Sequence, residues 1–363
     1  MIEYANGSGP SPRSAIGSMH TLYKGYIRKK VIFLVVIGVL LFVLGVVATS
    51  TGTIRIPFNE VVSSILRFDR MGSGRIVWDV RMPRVVAAIL VGAGLSLSGT
   101  VMQSILRNPL ASPYTLGLSS AAAFGASFAI VFFGAGTTTT STIIIDDFFT
   151  VAMSAFMFSL ISTMAILFLT VLTKISAESM VLAGIAIGSI FSAGLTLMQY
   201  LADSIQLASI VSWTFGDLGR ANWHILSIIA LVLFPLTAIC SFYRWDFNAM
   251  DTGEDSARGL GVRTGVVRII GMAVASVLSA VIVSFFGTIA FIGLLGPHIA
   301  RRLLGGDHRF LLVASPLIGA SILLAADTVA RTILSPMILP VGILTSLFGG
   351  PLFIYLLVVG RNR

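Results

Sequence analysis

Carboxylates are nearly missing from the apolar runs of this chain. There are 15 Asp and Glu in 363 residues, and Asp327 alone is a candidate for the middle of a bilayer. A carrier driven by protons or sodium normally keeps Asp, Glu or His at that depth, so the sequence lacks that class's usual machinery. Arg331 lies four residues after Asp327, at the spacing of a helical ion pair that neutralises both charges. Cysteine is reduced to Cys240, inside an apolar run, which excludes a disulfide framework and a thiolate metal site within one chain. The histidines, His20, His224, His298 and His308, do not cluster and read as structural rather than as ligands. No Walker A loop, HExxH or GxSxG string occurs, so no enzyme constellation is visible.

What is present is apolar length. The chain is 56% hydrophobic and 11% charged, with a mean hydropathy of +0.97. A soluble chain carries about 25% charge. The surplus apolar surface exceeds any core, so lipid must be its solvent. The runs do not alternate as barrel strands do. The expected class is therefore an all-α polytopic membrane protein. The net charge of +9 suggests nucleic acid at first, but most Lys and Arg sit in short loops beside apolar runs, where they set orientation.

Residues 1–30 read as a flexible cytoplasmic tail ending in Arg28-Lys29-Lys30, with residues 31–363 as the membrane domain. The first span, Val31–Thr49, is longer than a signal-peptide core and lacks a small-x-small site after it, so it reads as retained. Further spans are expected at Val85–Leu106, Leu116–Gly134, Phe148–Thr173, Met180–Leu201, His224–Tyr243, Ile269–Ala290, Phe310–Ala330 and Leu339–Val359. With the short Pro297 segment, Phe291–Leu304, this makes about ten. Trp213–Trp223 reads as an amphipathic, interfacial stretch, because Trp favours the headgroup region.

The N-tail, Arg107, Lys174, the Arg244–Arg268 loop, Arg301, Arg302, Arg309, Arg361 and Arg363 fall on one side, the cytoplasm by the positive-inside rule, with both termini there. The first outer loop breaks that rule with Arg55, Arg67, Arg70, Arg75, Arg81 and Arg84; an acidic external partner would account for it. Gly92, Ser96 and Thr100, and again Gly184, Gly188 and Ser192, recur at helical spacing and read first as close helix packing. Gln103 and Asn108 stand at the end of an apolar run just before Pro109 and Pro113, a costly arrangement for a simple anchor. In the charged loop, Gly253 breaks the chain, Glu254 and Asp255 suit a helix N-terminus, and Gly259 and Gly261 suit its end. A short cytoplasmic helix there is where an energising partner could grip.

Several strings resemble the permease subunits of type II ATP-binding-cassette importers for ferric siderophores, haem and cobalamin. They are RMPR (Arg81–Arg84), GTVMQSILRNPLASPYTLGLSSAA (Gly99–Ala122), Trp213–Trp223, GEDSARGLGV (Gly253–Val262), GTIAFIGLLGPHIARRLLGGDHR (Gly287–Arg309), ADTVAR ending at Arg331, and LPVGILTSLFGGPLF (Leu339–Phe353). The resemblance implies a type II importer permease fold of about ten transmembrane helices. It implies a second permease subunit, two ATPase subunits and an extracytoplasmic binding protein, with lipid around the bundle and no nucleic acid. It implies no cofactor in this chain; ATP and magnesium would sit in the ATPase. Coupling would fall on residues 248–262, notably Gly253, Glu254, Asp255, Ala257, Arg258, Leu260 and Gly261. Arg81, Arg84 and Arg331 match positions that receive acidic residues of the binding protein. The path would be lined by Gln103, Asn108, Gly184, Gly188, Ser192, Gln199, Gly349 and Gly350. Ser176, Ala177, Glu178 and Ser179 match a cytoplasmic gate, departing from its small hydroxylated pattern at Ala177 and Glu178. Ile338 stands where the family usually has Glu. A ferric siderophore is the expected cargo, with cobalamin, haem or an oxyanion such as molybdate as alternatives. An ion-coupled secondary carrier, or a membrane-embedded enzyme or sensor, are the competing classes.

Overall fold

The computed structural model describes residues 12–52, 56–67, 72–134, 137–139, 142–144, 148–173 and 177–360. It is helical apart from one short antiparallel hairpin, β1 (Thr137–Thr139) with β2 (Thr142–Ile144). The helices are α1 (Pro12–Ser50), α2 (Phe58–Leu66), α3 (Ser73–Ile76), α4 (Met82–Ile105), α5 (Leu118–Phe132), α6 (Phe148–Thr173), α7 (Ala177–Leu201) and α8 (Ser204–Thr214). They continue as α9 (Trp223–Phe242), α10 (Arg244–Asp251), α11 (Glu254–Gly259), α12 (Thr264–Phe286), α13 (Ile292–Leu304), α14 (His308–Ala330) and α15 (Val341–Gly360). Among the described residues, 7 helices are long and apolar enough to cross a membrane. The shorter apolar helices Leu118–Phe132 and Val341–Leu356 and the Pro297-bearing α13 match the remaining expected spans. The chain is a multi-pass membrane protein.

Two boundaries differ from expectation. The stretch read as a flexible tail to Lys30 is helical from Pro12 onward, continuous with the first span. No Pro interrupts it after Pro12, and long basic side chains can carry their charge to the interface without unwinding a helix. The segment Trp213–Trp223 is not one amphipathic helix. Helix α8 ends at Thr214; a turn and a single 3-10 turn (Leu218–Arg220) follow, and Asn222 caps α9. Asp203 and Gln206 form a capping box, which places the helix start ten residues before Trp213. Trp213 itself is buried against α5 and α12.

α4 is the axle. It packs against α9, α12, α13 and α14, and nearly all of it from Val91 to Ile105 is buried. Its glycines permit this. A Cβ on Gly92 would stand 2.5 Å from the Gly319 carbonyl oxygen of α14, and one on Gly99 would collide with the Gly293 backbone of α13. In lipid, apolar burial does not drive helices together; close backbone approach and interhelical hydrogen bonds do. Both are present. Ser96 Oγ bonds the Ser315 carbonyl at 2.7 Å, and Thr100 Oγ1 donates to Ser315 Oγ at 2.7 Å. The Gly92-Ser96-Thr100 stripe is thus a helix-packing face.

Gly92→Leu is expected to lower the melting temperature in detergent by several degrees or abolish folding, because overpacking costs about 1–3 kcal/mol or more. Gly38→Ala, with nothing within 4 Å, should be neutral or slightly stabilising. Thermal unfolding of the purified variants distinguishes these outcomes.

Candidate functional site

The start of α4 and the end of α14 meet in a buried charge cluster. Asp327, fully buried, takes Arg84 Nε at 2.9 Å and Arg84 Nη2 at 2.8 Å, and pairs with Arg331 Nε at 3.0 Å. Arg84 also reaches Asp217 at 3.3 Å. The remaining guanidinium donors cap α1. Arg81 donates to the carbonyls of Thr49 and Ser50 at 2.8 and 3.0 Å, and Arg331 to those of Ala48 and Thr51 at 3.1 and 3.3 Å. The last carbonyls of a helix lack internal partners and carry partial negative charge, so cations satisfy them well. The expected Asp327–Arg331 pair is present, and Arg84 completes it. Arg81, Arg84 and Arg331, expected at an outer docking surface, are 5%, 7% and 5% exposed and engaged inside the chain.

At the opposite end of α4 the loop 244–268 folds as two short helices. α10 ends at Asp251, Gly253 turns the chain at φ +124°, and α11 begins at Glu254. Glu254 is tied to Arg258 at 2.7 Å and to Arg268 of α12 at 2.9 Å, and these bonds hold its carboxyl below the usual range against partial burial. α11 ends at Gly259; Gly261 takes φ +86° as the Val262 N–H returns to the Ala257 carbonyl, a Schellman closure. Ala257 is buried, while Asp255, Arg258 and Gly261 are exposed and Leu260 is 71% exposed. The pair therefore presents a rigid, part-apolar tip.

Asp251 is a hub that no local motif announced. Its Oδ1 accepts from Ser104 of α4 at 2.9 Å; its Oδ2 takes Arg301 of α13 at 3.0 Å and faces His308 Nε2 of α14 at 3.1 Å. Burial opposes its charge, but His308, Arg301 and Ser104 outweigh it and hold its carboxyl low. Asp307 caps α14 through the Arg309 N–H at 3.0 Å. Partial burial opposes its charge too, yet the Arg309 guanidinium and backbone hold its carboxyl down at about 2. An Asp directly before a helical run is a cap signature, so this residue was findable from the sequence.

The expected path residues divide. Gln103 and Asn108 line one cleft beside α10. Gly184 and Gly188 do not face open space: a Cβ on Gly184 would meet Leu116 Cα at 2.7 Å, and one on Gly188 would meet Gly117 Cα at 2.9 Å. They are packing contacts that let α7 lie on the turn before α5. Gly349 likewise packs on Phe291, and Gly350 stands looser beside the same ring. Ser192 is exposed and Gln199 half-buried on α7. Ala177 and Glu178 open α7 and Ser179 is half-buried in its first turn, whereas Ser176 lies outside the described residues. The α7 span is 17% buried. Its exposed face carries Leu182, Ile185, Ile190, Leu197 and Tyr200. A groove of about 520 Å³ between Thr214, Thr288, Ser346 and Leu347 opens at the start of α15.

The described residues thus form a helical bundle with a packed axle and a helix pair at one end, and among them no group of three or more His, Cys, Asp or Glu could hold a metal ion. The FecCD transport family matches residues 40–359, and the chain belongs to that family. It is 47% identical over 342 residues to an ABC transporter permease protein of Methanocaldococcus jannaschii, covering 94% of this chain and 98% of the relative. It is 35% identical to the Fe(3+)-citrate import system permease protein of Bacillus subtilis, over 91% of this chain and 96% of that one. The hemin transport system permease of Yersinia pestis is 33% identical, over 90% and 95% respectively. A solved inward-facing metal-chelate type ABC transporter superposes with a TM-score of 0.77 at 31% identity, covering 90% of this chain and 98% of that one. The fold is that of a type II ABC importer permease.

Asp327→Asn leaves two buried guanidinium groups short of a charge and should cost about 3–5 kcal/mol, read as a large fall in melting temperature. Asp79→Asn, at the exposed 3.7 Å pair with Arg75, should leave it unchanged. For Asp307, a folded value of about 2 against an ordinary 3.8 means its contribution is complete above pH 4 and lost as pH falls towards 2. Asp307→Asn keeps the cap, and its melting temperature should fall less than that of the parent chain on acidification from pH 5 to pH 2.

Proposed function

We propose that this chain is the permease through which a metal chelate, a ferric siderophore in the first instance, passes from an external binding protein into the cytoplasm under the drive of a separate ATPase. The observation that carries the reading is the helix pair α10–α11. Its base is ion-paired to α12 and α13 and hydrogen-bonded to α14, and its tip offers Leu260 to a partner. A push on such a tip moves the bundle instead of bending a loop. ATP and magnesium belong to that partner.

The basic loops support placing the α10–α11 end and both termini in the cytoplasm. The opposite end, where Arg81, Arg84 and Arg331 outnumber Asp217 and Asp327, would then attract the acidic lobes of a binding protein. The exposed apolar faces of α7 and α15 suit a second copy of the permease, with the path between the two copies, past Ser192 and Gln199. Relatives are named for Fe(3+)-citrate, hemin, molybdate and vitamin B12, which supports a bulky or anionic metal-containing cargo and leaves the choice to the binding protein. The sparse acidic residues do not favour a proton-coupled carrier: the only carboxylates in the spans α4 to α7, α9 and α12 to α15 are Glu178, at a helix start, and the doubly paired Asp327, and of their histidines His224 and His308 stand at helix starts and His298 in the short α13.

Vesicles holding this chain, its ATPase and a binding protein loaded with a ferric siderophore should accumulate iron only when ATP is supplied. Vesicles holding the chain alone should accumulate none. Accumulation by the chain alone under a proton or sodium gradient would overturn the reading. Leu260→Asp should cut ATPase capture at least about tenfold, measured by co-purification.

A further inference from the structure

The cleft beside α10 has a chemistry of its own. It measures about 330 Å³ and is lined by Gln103, Arg107, Asn108, Pro109, Asp251 and Arg301. Its walls come from the end of α4, the turn that follows, α10 and α13. Gln103 is 3% exposed, and its Nε2 is buried without an acceptor. An unsatisfied buried amide costs about 1–3 kcal/mol, so such a group calls for a partner.

The other walls are equally rich in donors. Arg107 is exposed and held in the left-handed region at φ +47° by the turn that closes α4. Its Nη2 would lie 3.9 Å from a Cβ on Gly253, at the joint between α10 and α11. Among the described residues no ion pair or hydrogen bond engages its guanidinium. Arg301 spends one nitrogen on Asp251 at 3.0 Å; a guanidinium carries further donors in a fixed fork. Asp251 does not compete as a free anion, since Ser104, His308 and Arg301 already occupy both its oxygens. Two guanidinium groups against one carboxylate leave a cleft of net positive charge with spare donors.

We propose that this cleft binds a small free oxyanion, a phosphate or a carboxylate, between Arg107, Arg301 and the Gln103 amide. Charge-assisted bonds to planar forks are the strong form of this recognition. The anion would join the turn after α4 to α13 next to the α10–α11 joint, bracing the helix pair against the bundle. This does not depend on which cargo the permease carries.

The full chain, purified in a neutral detergent and buffered without phosphate, is titrated with inorganic phosphate and, separately, with citrate. Sodium chloride at matched ionic strength is the control, and a phosphorus assay on the purified chain separates a co-purified lipid headgroup from the free anion. Binding by calorimetry and a saturable rise in melting temperature are expected with phosphate or citrate and not with chloride. Arg107→Asn, which keeps the left-handed backbone accessible, and Gln103→Leu should each weaken binding about tenfold or more. Arg75→Gln, an exposed arginine elsewhere, should leave it unchanged. If Gln103→Leu does not fold, Arg107→Asn decides alone. Equal effects of chloride and phosphate, or unchanged binding in Arg107→Asn, overturn the proposal. So does a chain that binds neither anion while Arg107→Asn impairs ATPase capture, an outcome that assigns the cleft to a protein carboxylate.

Discussion

The antiparallel contact between α4 and α14 is the constraint from which the rest of the bundle takes its shape. Two backbones meet where Gly92 faces Gly319 and Ser96 faces Ser315, closer than any larger side chain would allow. Lipid supplies no net hydrophobic push between helices, so this approach and its hydroxyl bonds must supply the adhesion. The 24 residues of α4 span about 36 Å, which is enough to cross the bilayer core.

Each end of that pair is pinned by a carboxylate. Asp327 holds Arg84 and Arg331 at one end, and through Arg331 the carbonyl terminus of α1. Asp251 holds Ser104, Arg301 and His308 at the other. A charge placed inside such a structure is costly unless it is paired, and both acids lie where several helix ends supply partners at once. The consequence is mechanical. The helix pair α10–α11 is bonded to the same two helices that reach the arginine cluster, so the axle can transmit displacement as a rigid body. By contrast α7 and much of α15 remain outside the packed core and keep an exposed apolar face.

Much of this was legible in the residues. Composition forced a membrane class, and the spacing of apolar runs located each long helix, because a bilayer demands about 20 apolar residues per crossing. Gly253 and Gly261 marked the turns around α11, since positive φ is open to glycine at little cost. The i,i+4 spacing disclosed Asp327 with Arg331. The Trp213 segment was read as an interfacial stretch from its aromatic ends, whereas Trp213 is a core residue at the end of a helix capped by Asp203. Gly184 and Gly188 were assigned to a path and also to packing; the backbone of Leu116 and Gly117 against them decides for packing. The arginines suggested a surface, yet Arg81 and Arg331 turn inward to carbonyls at the end of α1 and Arg84 to Asp327 and Asp217.

By itself the sequence determined the solvent, the helical class, the family and the local grammar of turns and caps, because these depend on composition and short-range spacing. Tertiary structure alone decided which distant groups share a charge. Arg84 meets Asp327 across 243 positions, and Ser104 meets Asp251 across 147. Such pairings follow from which helix ends the packed axle brings together, and no periodicity along the chain encodes that.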